Sequence, residues 1–283
     1  MGFSDFNITI VGLGLIGGSF AKAINKLNPK NIWAIDRDNN VLLKAAEDGV
    51  ITGGFTSPQE VLSKSDIVIL ALYPKDTINF VLENMAHFKS RCLITDTCGI
   101  KKDIVSIING AIRKDLEFIG GHPMAGKEAS GFGSADGTLF NNANYFITPT
   151  GCSTEKNIDI LTNLASEIGC KRVISVTPEE HDSIIAYTSH LPHILAVSLM
   201  NCLNTSGDLN CLIGGSFKDA TRVANINSDL WVELIKSNKE NVLNTLDNFV
   251  SHLSSLRSAV FREDESTLWE EFNRSKQKRR EIE

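Results

Sequence analysis

Ile8-Thr9-Ile10-Val11-Gly12-Leu13-Gly14-Leu15-Ile16-Gly17-Gly18 is the stretch whose reading decides the fold. The apolar run Ile8–Val11 reads as a buried strand, and a G-x-G-x-x-G spacing follows it without a gap. A helical pattern, Gly17–Leu27, then begins. Gly12 permits a tight turn, Gly14 lets the backbone approach a pyrophosphate, and Gly17 allows close packing of helix on strand. The loop residues Leu15 and Ile16 lie where the helix offers free N–H groups and a partial positive charge to phosphates. Asp36 closes the second apolar run, Ile32–Ile35, and can accept a hydrogen bond from a ribose 2′-OH. Its charge repels a 2′-phosphate, which favours NAD over NADP, although the neighbouring Arg37 can pair with such a phosphate. A dinucleotide site is expected here.

Further strand-like runs continue from that unit: Ile67–Leu72, Leu93–Thr95, Phe118–Ile119, Tyr145–Ile147 and Arg172–Ser175. Continuously apolar strands separated by helices, such as Val41–Asp48, predict a parallel sheet covered on both faces. Ser57-Pro58-Gln59-Glu60 and Thr177-Pro178-Glu179-Glu180 each read as a capping box with Pro at the first helical position. From Glu179 onward no strand is expected. Val242, Leu246, Phe249, Leu253, Leu256 and Val260 form an a/d seam, read as the core of a helical bundle in preference to a subunit seam. The expected fold class is α/β: a doubly wound Rossmann-type domain over residues 1–176, then an all-α domain over 177–283.

Composition bounds the partners. At 283 residues the chain has room for two domains, and counting glycine with the apolar residues gives about 48% apolar, in the globular range. A net charge of −6 gives no reason to expect nucleic acid, and the basic run Lys276–Arg280 reads as a solvated helix end. The six cysteines form no Cys-x-x-Cys pair and read as reduced intracellular thiols. The N-terminus lacks a basic region of the secretory kind. Ser183 to Gly207 carries no Asp, Glu, Lys or Arg, yet its His, Pro, Ser, Thr and Asn make a poor membrane span. A cytoplasmic protein is expected.

Three further motifs carry candidate chemistry. The run at Phe118–Ile119 leads into Gly120-Gly121-His122-Pro123-Met124-Ala125-Gly126, which puts His122 in the crevice beyond the strand ends, with glycines expected to leave room for a substrate. A loop histidine taken alone is more often a surface residue than a base. In Ser189-His190-Leu191-Pro192-His193, Ser189 and His193 share one helix face, Pro192 predicts a kink or break, and His190 points elsewhere. Zinc is a poor reading, because no Cys or carboxylate completes a site with the two histidines. Phe217-Lys218-Asp219-Ala220-Thr221-Arg222, with Trp231 beyond it, reads either as an Asp–Arg helix pair or as an arginine presented to a carboxylate.

Together, the glycine loop with Gly18-Ser19, Gly121-His122-Pro123-Met124-Ala125-Gly126, Ser189-His190-Leu191-Pro192-His193 and Asp219-Ala220-Thr221-Arg222 resemble prephenate dehydrogenase, the tyrosine-pathway family that includes arogenate and cyclohexadienyl dehydrogenases. The resemblance runs from about Asn7 to Trp231. It implies NAD-dependent oxidative decarboxylation, with His122 taking the proton of the ring 4-hydroxyl as hydride leaves C4. It implies that Arg222 holds a substrate carboxylate, that Ser189 and His193 line the pocket, and that Glu128 orients or gates. Asp219 and Trp231 would support the site near a dimer contact in the helical domain.

One position departs from the family pattern. In Asp96-Thr97-Cys98-Gly99-Ile100-Lys101, Gly99 stands where the family commonly has a serine that assists the histidine. Thr97, Cys98 or water is expected to take its place. The chain end at Glu283 is read as leaving no regulatory domain, and no mutase segment is expected before it. Prephenate giving 4-hydroxyphenylpyruvate is the expected reaction. Arogenate giving tyrosine is the nearest alternative, and β-hydroxyacid dehydrogenases lack support because no catalytic lysine motif is evident in the helical half. A non-enzymatic NAD(H) sensor would leave His122, His193 and Arg222 without a task.

Overall fold

In the computed structural model, which describes residues 2–203 and 209–282, the apolar runs become strands of one sheet. They are β1 (Asn7–Val11), β2 (Asn31–Ile35), β3 (Gly53–Phe55), β4 (Ile67–Leu70), β5 (Leu93–Asp96), β6 (Glu117–Pro123), β7 (Asn144–Thr148) and β8 (Arg172–Ser175). The order is β3-β2-β1-β4-β5-β6-β7-β8. The chain moves outward one way from β1 through β2 to β3, then returns to build the other way from β4, so the crevice between β1 and β4 is the switch point at which ligands bind.

β1 to β6 pair in parallel, but β7 runs antiparallel to β6, with His122 opposite Phe146. That corrects the wholly parallel expectation. The link from β6 to β7 contains only a 3-10 turn, Phe132–Ser134, and no helix to carry a parallel crossover. β3 went unread, since its three residues include two glycines and it is held only by pairing with β2.

The sheet is flanked by α1 (Leu15–Asn25), α2 (Asn39–Glu47), α3 (Gln59–Leu62), α4 (Pro74–Asn84), α5 (Lys102–Ala111) and α6 (Glu155–Glu167). Along β4, Ile67 and Ile69 join one apolar cluster with Ile8, Phe20 and Ile24, while Val68 and Leu70 join another with Ile94, Ile104 and Phe118. Burial of both faces is why these strands read as unbroken apolar runs. The Ser57 capping box does not form: Pro58 occupies the cap position of a four-residue helix, and Ser57 Oγ bonds the Gln59 side chain.

Beyond β8 come α7 (Pro178–Ile185), a π-helical turn (Ala186–His190), α8 (Leu191–Asn201), α9 (Leu209–Leu212), α10 (Gly215–Thr221), α11 (Ser228–Ser237), α12 (Lys239–Phe261) and α13 (Glu265–Glu281). The Thr177 capping box is complete, with Glu180 N donating to Thr177 Oγ1 at 3.1 Å and Thr177 N donating to Glu180 Oε2 at 2.9 Å. The helix does not break at Pro192. The π turn ahead of it supplies the extra residue that removes the clash.

Pro178–Asn201 is long and apolar enough by length and composition to cross a membrane, with mean hydropathy 1.2. Its buried side, however, carries His181, Asp182 and His190. Residues 204–207 of the uncharged stretch lie outside the described residues. The α12 seam is not a bundle core in this chain: Val242 is buried, but Leu253 is 53% and Val260 62% exposed. The heptad pattern reported an apolar stripe and could not say what covers it.

Candidate active site

At the carboxyl end of β1, Gly12 adopts φ +87°, and a β-carbon there would stand 2.6 Å from Ala71 O. A β-carbon on Gly17 would stand 1.8 Å from Gly12 O, so the turn closes on the helix only with glycine at both places. Gly14 caps α1 with no side chain on its N–H groups and open space above it. Asp36 is half-buried at the end of β2, where Oδ2 accepts from Leu13 N at 2.7 Å and Oδ1 from Asp38 N at 2.9 Å. Arg37 is exposed. Bare amides at a helix N-terminus, a carboxylate beside them and nothing overhead form a cradle that fits a dinucleotide.

His122 lies near the end of β6, half-buried. Its Nδ1 is 2.9 Å from His181 Nε2, and His181 Nδ1 is 2.7 Å from Asp182 Oδ1. Asp182 also accepts from Lys101 N at 2.7 Å and Lys102 N at 3.0 Å, the first amides of α5. Beneath this line, the Lys101 ammonium and the Asp96 carboxylate pair with both side chains fully buried. Asp96 further accepts from Cys98 N at 2.9 Å and Gly121 N at 3.1 Å. Burial pushes His122 well below the ordinary histidine pKa, and repulsion from His181 and His190 in their charged forms and from the Lys101 ammonium pushes the same way. At neutral pH the His122 ring is therefore uncharged.

The helical half covers this end of the sheet. The Trp231 ring lies between His193, with centroids 4.0 Å apart, and His190, at 5.9 Å. His193 Nδ1 donates to Ser189 O at 2.8 Å, which fixes its ring and leaves Nε2 to accept. Arg222, 65% exposed, pairs with Glu128 of the β6–β7 connection. Asn227 Nδ2 donates to the Tyr73 hydroxyl at 2.8 Å, and Lys75 N to Glu233 Oε1 at 2.5 Å, tying α11 to the start of α4.

Two family models match successive parts of the chain: "Prephenate dehydrogenase, nucleotide-binding domain" over residues 20–174, and "Prephenate dehydrogenase, dimerization domain" over 177–274. The chain belongs to the prephenate dehydrogenase family. It is 33% identical over 276 residues to the prephenate dehydrogenase of Bacillus subtilis, covering 95% of this chain and 74% of that one. It superposes on prephenate dehydrogenase from A. aeolicus, solved with hydroxyphenyl propionate and NAD+, at TM-score 0.89 and 30% identity, covering 99% of each chain. Synechocystis arogenate dehydrogenase follows at TM-score 0.83 and 25% identity, covering 98% of this chain and all of that one.

As a prephenate dehydrogenase family member, the chain differs in several contacts from the sequence reading. Neither Thr97 nor Cys98 reaches His122: Thr97 Oγ1 donates to Leu70 O at 3.4 Å, and Cys98 Sγ lies 3.4 Å from both Thr77 Oγ1 and Leu72 O. Burial pushes the Cys98 thiol up, so it stays protonated. The ring partner of His122 is His181, which sequence reading passed over. Gly120 and Gly121 make room for protein and not for substrate. A β-carbon on Gly120 would stand 2.8 Å from Lys101 Cδ, and one on Gly121 2.5 Å from the Tyr145 hydroxyl. Asp219 is exposed and, among the described residues, forms no ion pair with Arg222, whose carboxylate partner is Glu128. Two signals were available: the His181-Asp182 dipeptide just inside the Thr177 capping box, and Lys101 at the end of the Asp96 motif.

Proposed function

We propose that the chain catalyses the NAD-dependent oxidative decarboxylation of prephenate to 4-hydroxyphenylpyruvate in tyrosine biosynthesis. The observation that carries the reading is His122, anchored by His181 at the same carboxyl end of the sheet as the open glycine cradle, facing a helical wall that holds Arg222. Gly12, Gly14, Leu15, Ile16 and Gly17 would hold the pyrophosphate, and Asp36 the ribose. NAD is favoured over NADP because Asp36 has a negative charge where a 2′-phosphate would lie.

NAD supplies, when bound, the acceptor for the hydride that leaves ring C4. His122 Nε2 takes the proton of the 4-hydroxyl in the same step. The bond from C1 to the ring carboxylate then breaks, its electron pair enters the ring as CO₂ departs, and the C4 oxygen recovers its proton from His122. The base ends neutral, ready for the next turnover. Arg222, exchanging Glu128 for substrate, would hold a carboxylate in two-point contact. Ser189, His193 and Trp231 would line the pocket.

The proposal divides the chain into a cofactor domain, 1–176, and a substrate and dimerisation domain, 177–283. Exposed Tyr187, Leu253, Val260 and Phe261 support a homodimer through the helical half, which light scattering would read as twice 31.0 kDa. Buried thiols at Cys92, Cys98 and Cys170 support a cytoplasmic setting. Arogenate is the second substrate reading, since the arogenate dehydrogenase above shares the fold over almost the whole chain. Purified protein is mixed in turn with prephenate and arogenate, each with NAD or NADP, and reduced nicotinamide absorbance is followed. Turnover is expected fastest with prephenate and NAD, and no signal with any pair would refute the reading.

A further inference from the structure

The acceptor role given to His122 depends on which ring nitrogen carries its proton, and the surrounding bonds determine that. Asp182 is 2% exposed and receives two backbone N–H groups at the start of α5, the geometry of an anion held at a helix N-terminus. A carboxylate has only acceptors, so the hydrogen between Asp182 Oδ1 and His181 belongs to His181 Nδ1. His181 is fully buried against the Phe146 ring, and burial disfavours its charged form. Neutral His181 with a proton on Nδ1 presents a lone pair at Nε2. His122 Nδ1, 2.9 Å away, must then be the donor. That leaves the lone pair of His122 on Nε2, facing Gly99, where a β-carbon would stand 3.8 Å from it.

We propose that His181 and Asp182 are positioning residues that hold His122 in the Nδ1–H tautomer, acting on the ring nitrogen opposite the one that faces Gly99. The proposal rests on the reading of His122 as the proton acceptor. When Nε2 takes a proton, the His122 cation keeps its Nδ1–H on His181, and the charge of Asp182 stabilises it through the intervening ring. The other groups facing the pair are the Lys101–Asp96 ion pair under β6 and His190 from the π turn, with His193 behind His190 toward the Arg222–Glu128 pair. None of them receives the Nδ1 proton of His122.

The test compares two replacements at one site. His181→Leu removes the acceptor, whereas His181→Gln offers an amide oxygen at the place of Nε2. Leu is expected to lower kcat by about 10²-fold with the NAD dissociation constant unchanged, and Gln to recover at least tenfold of that loss. Asp182→Asn withdraws the stabilising charge, so the acid limb of kcat/KM should move to lower pH while the plateau falls. Independently of any variant, ¹⁵N spectra of histidine-labelled wild-type protein should show His122 protonated on Nδ1. Equal impairment by Leu and Gln, wild-type turnover of His181→Leu, or an Nε2–H signal from His122 would overturn the proposal. A wild-type protein inactive on both prephenate and arogenate sinks the functional reading instead, and the tautomer signal still reports on the bonding.

Discussion

Replacing Lys101 with Met removes the positive member of an ion pair whose two side chains are both inaccessible to solvent. Met nearly preserves the volume of the lysine stem that crosses Gly120, so the cavity contribution is small. What remains is a buried carboxylate without its counter-charge, a change that costs about 3–5 kcal/mol in comparable sites. Asp96 keeps its bonds from Cys98 N and Gly121 N, which place the expected loss at the lower end, about 3 kcal/mol. With roughly 2–4 °C per kcal/mol for a chain of this size, the melting temperature should fall by about 6–12 °C in a calorimetric scan. A second readout follows from charge. Lys101 helps keep His122 and His181 unprotonated, so its loss should move the acid limb of kcat/KM to higher pH. A melting temperature within about 2 °C of wild type, or an unmoved limb, would refute the buried pair as described.

In the wild-type enzyme, log kcat/KM should rise with pH along a limb that lies below the ordinary histidine value, because burial and neighbouring cations disfavour charged His122. Stability has the same sign. Folded His122 and His190, the latter lowered to about 4, bind fewer protons than the unfolded chain, so the melting temperature should drop as pH falls from about 6.5 toward 4. Arg222→Gln should raise the prephenate KM more than tenfold and leave NAD affinity intact in a fluorescence titration. An unchanged KM would move the carboxylate site elsewhere. Gly17→Ala drives a methyl group against Gly12 O at 1.8 Å and should weaken NAD by at least tenfold, about 1.4 kcal/mol; unchanged affinity would contradict the close turn.

What could be read from sequence was local. Strand, glycine turn, helix and terminal Asp36 lie within one short unit, and the Thr177 box satisfies itself across three residues. The site's supporting bonds are long-range. His122 meets His181 across 59 positions, and Lys101 N meets Asp182 across 81, distances at which no periodicity operates. Arg222 had a plausible partner three residues away in Asp219, yet the fold supplies Glu128 from another element. The α12 stripe was visible as spacing, but whether this chain or a second copy covers it depends on tertiary placement. The antiparallel turn into β7 depended likewise on a helix that the β6–β7 link lacks.

With His122 proposed to take the substrate proton, His122→Asn removes the acceptor itself. Its amide has nearly the same polar reach and no basic nitrogen. Steady-state turnover with prephenate and NAD should fall by about 10²–10⁴-fold, with NAD affinity unchanged. Turnover near the wild-type value would show that another group takes the proton.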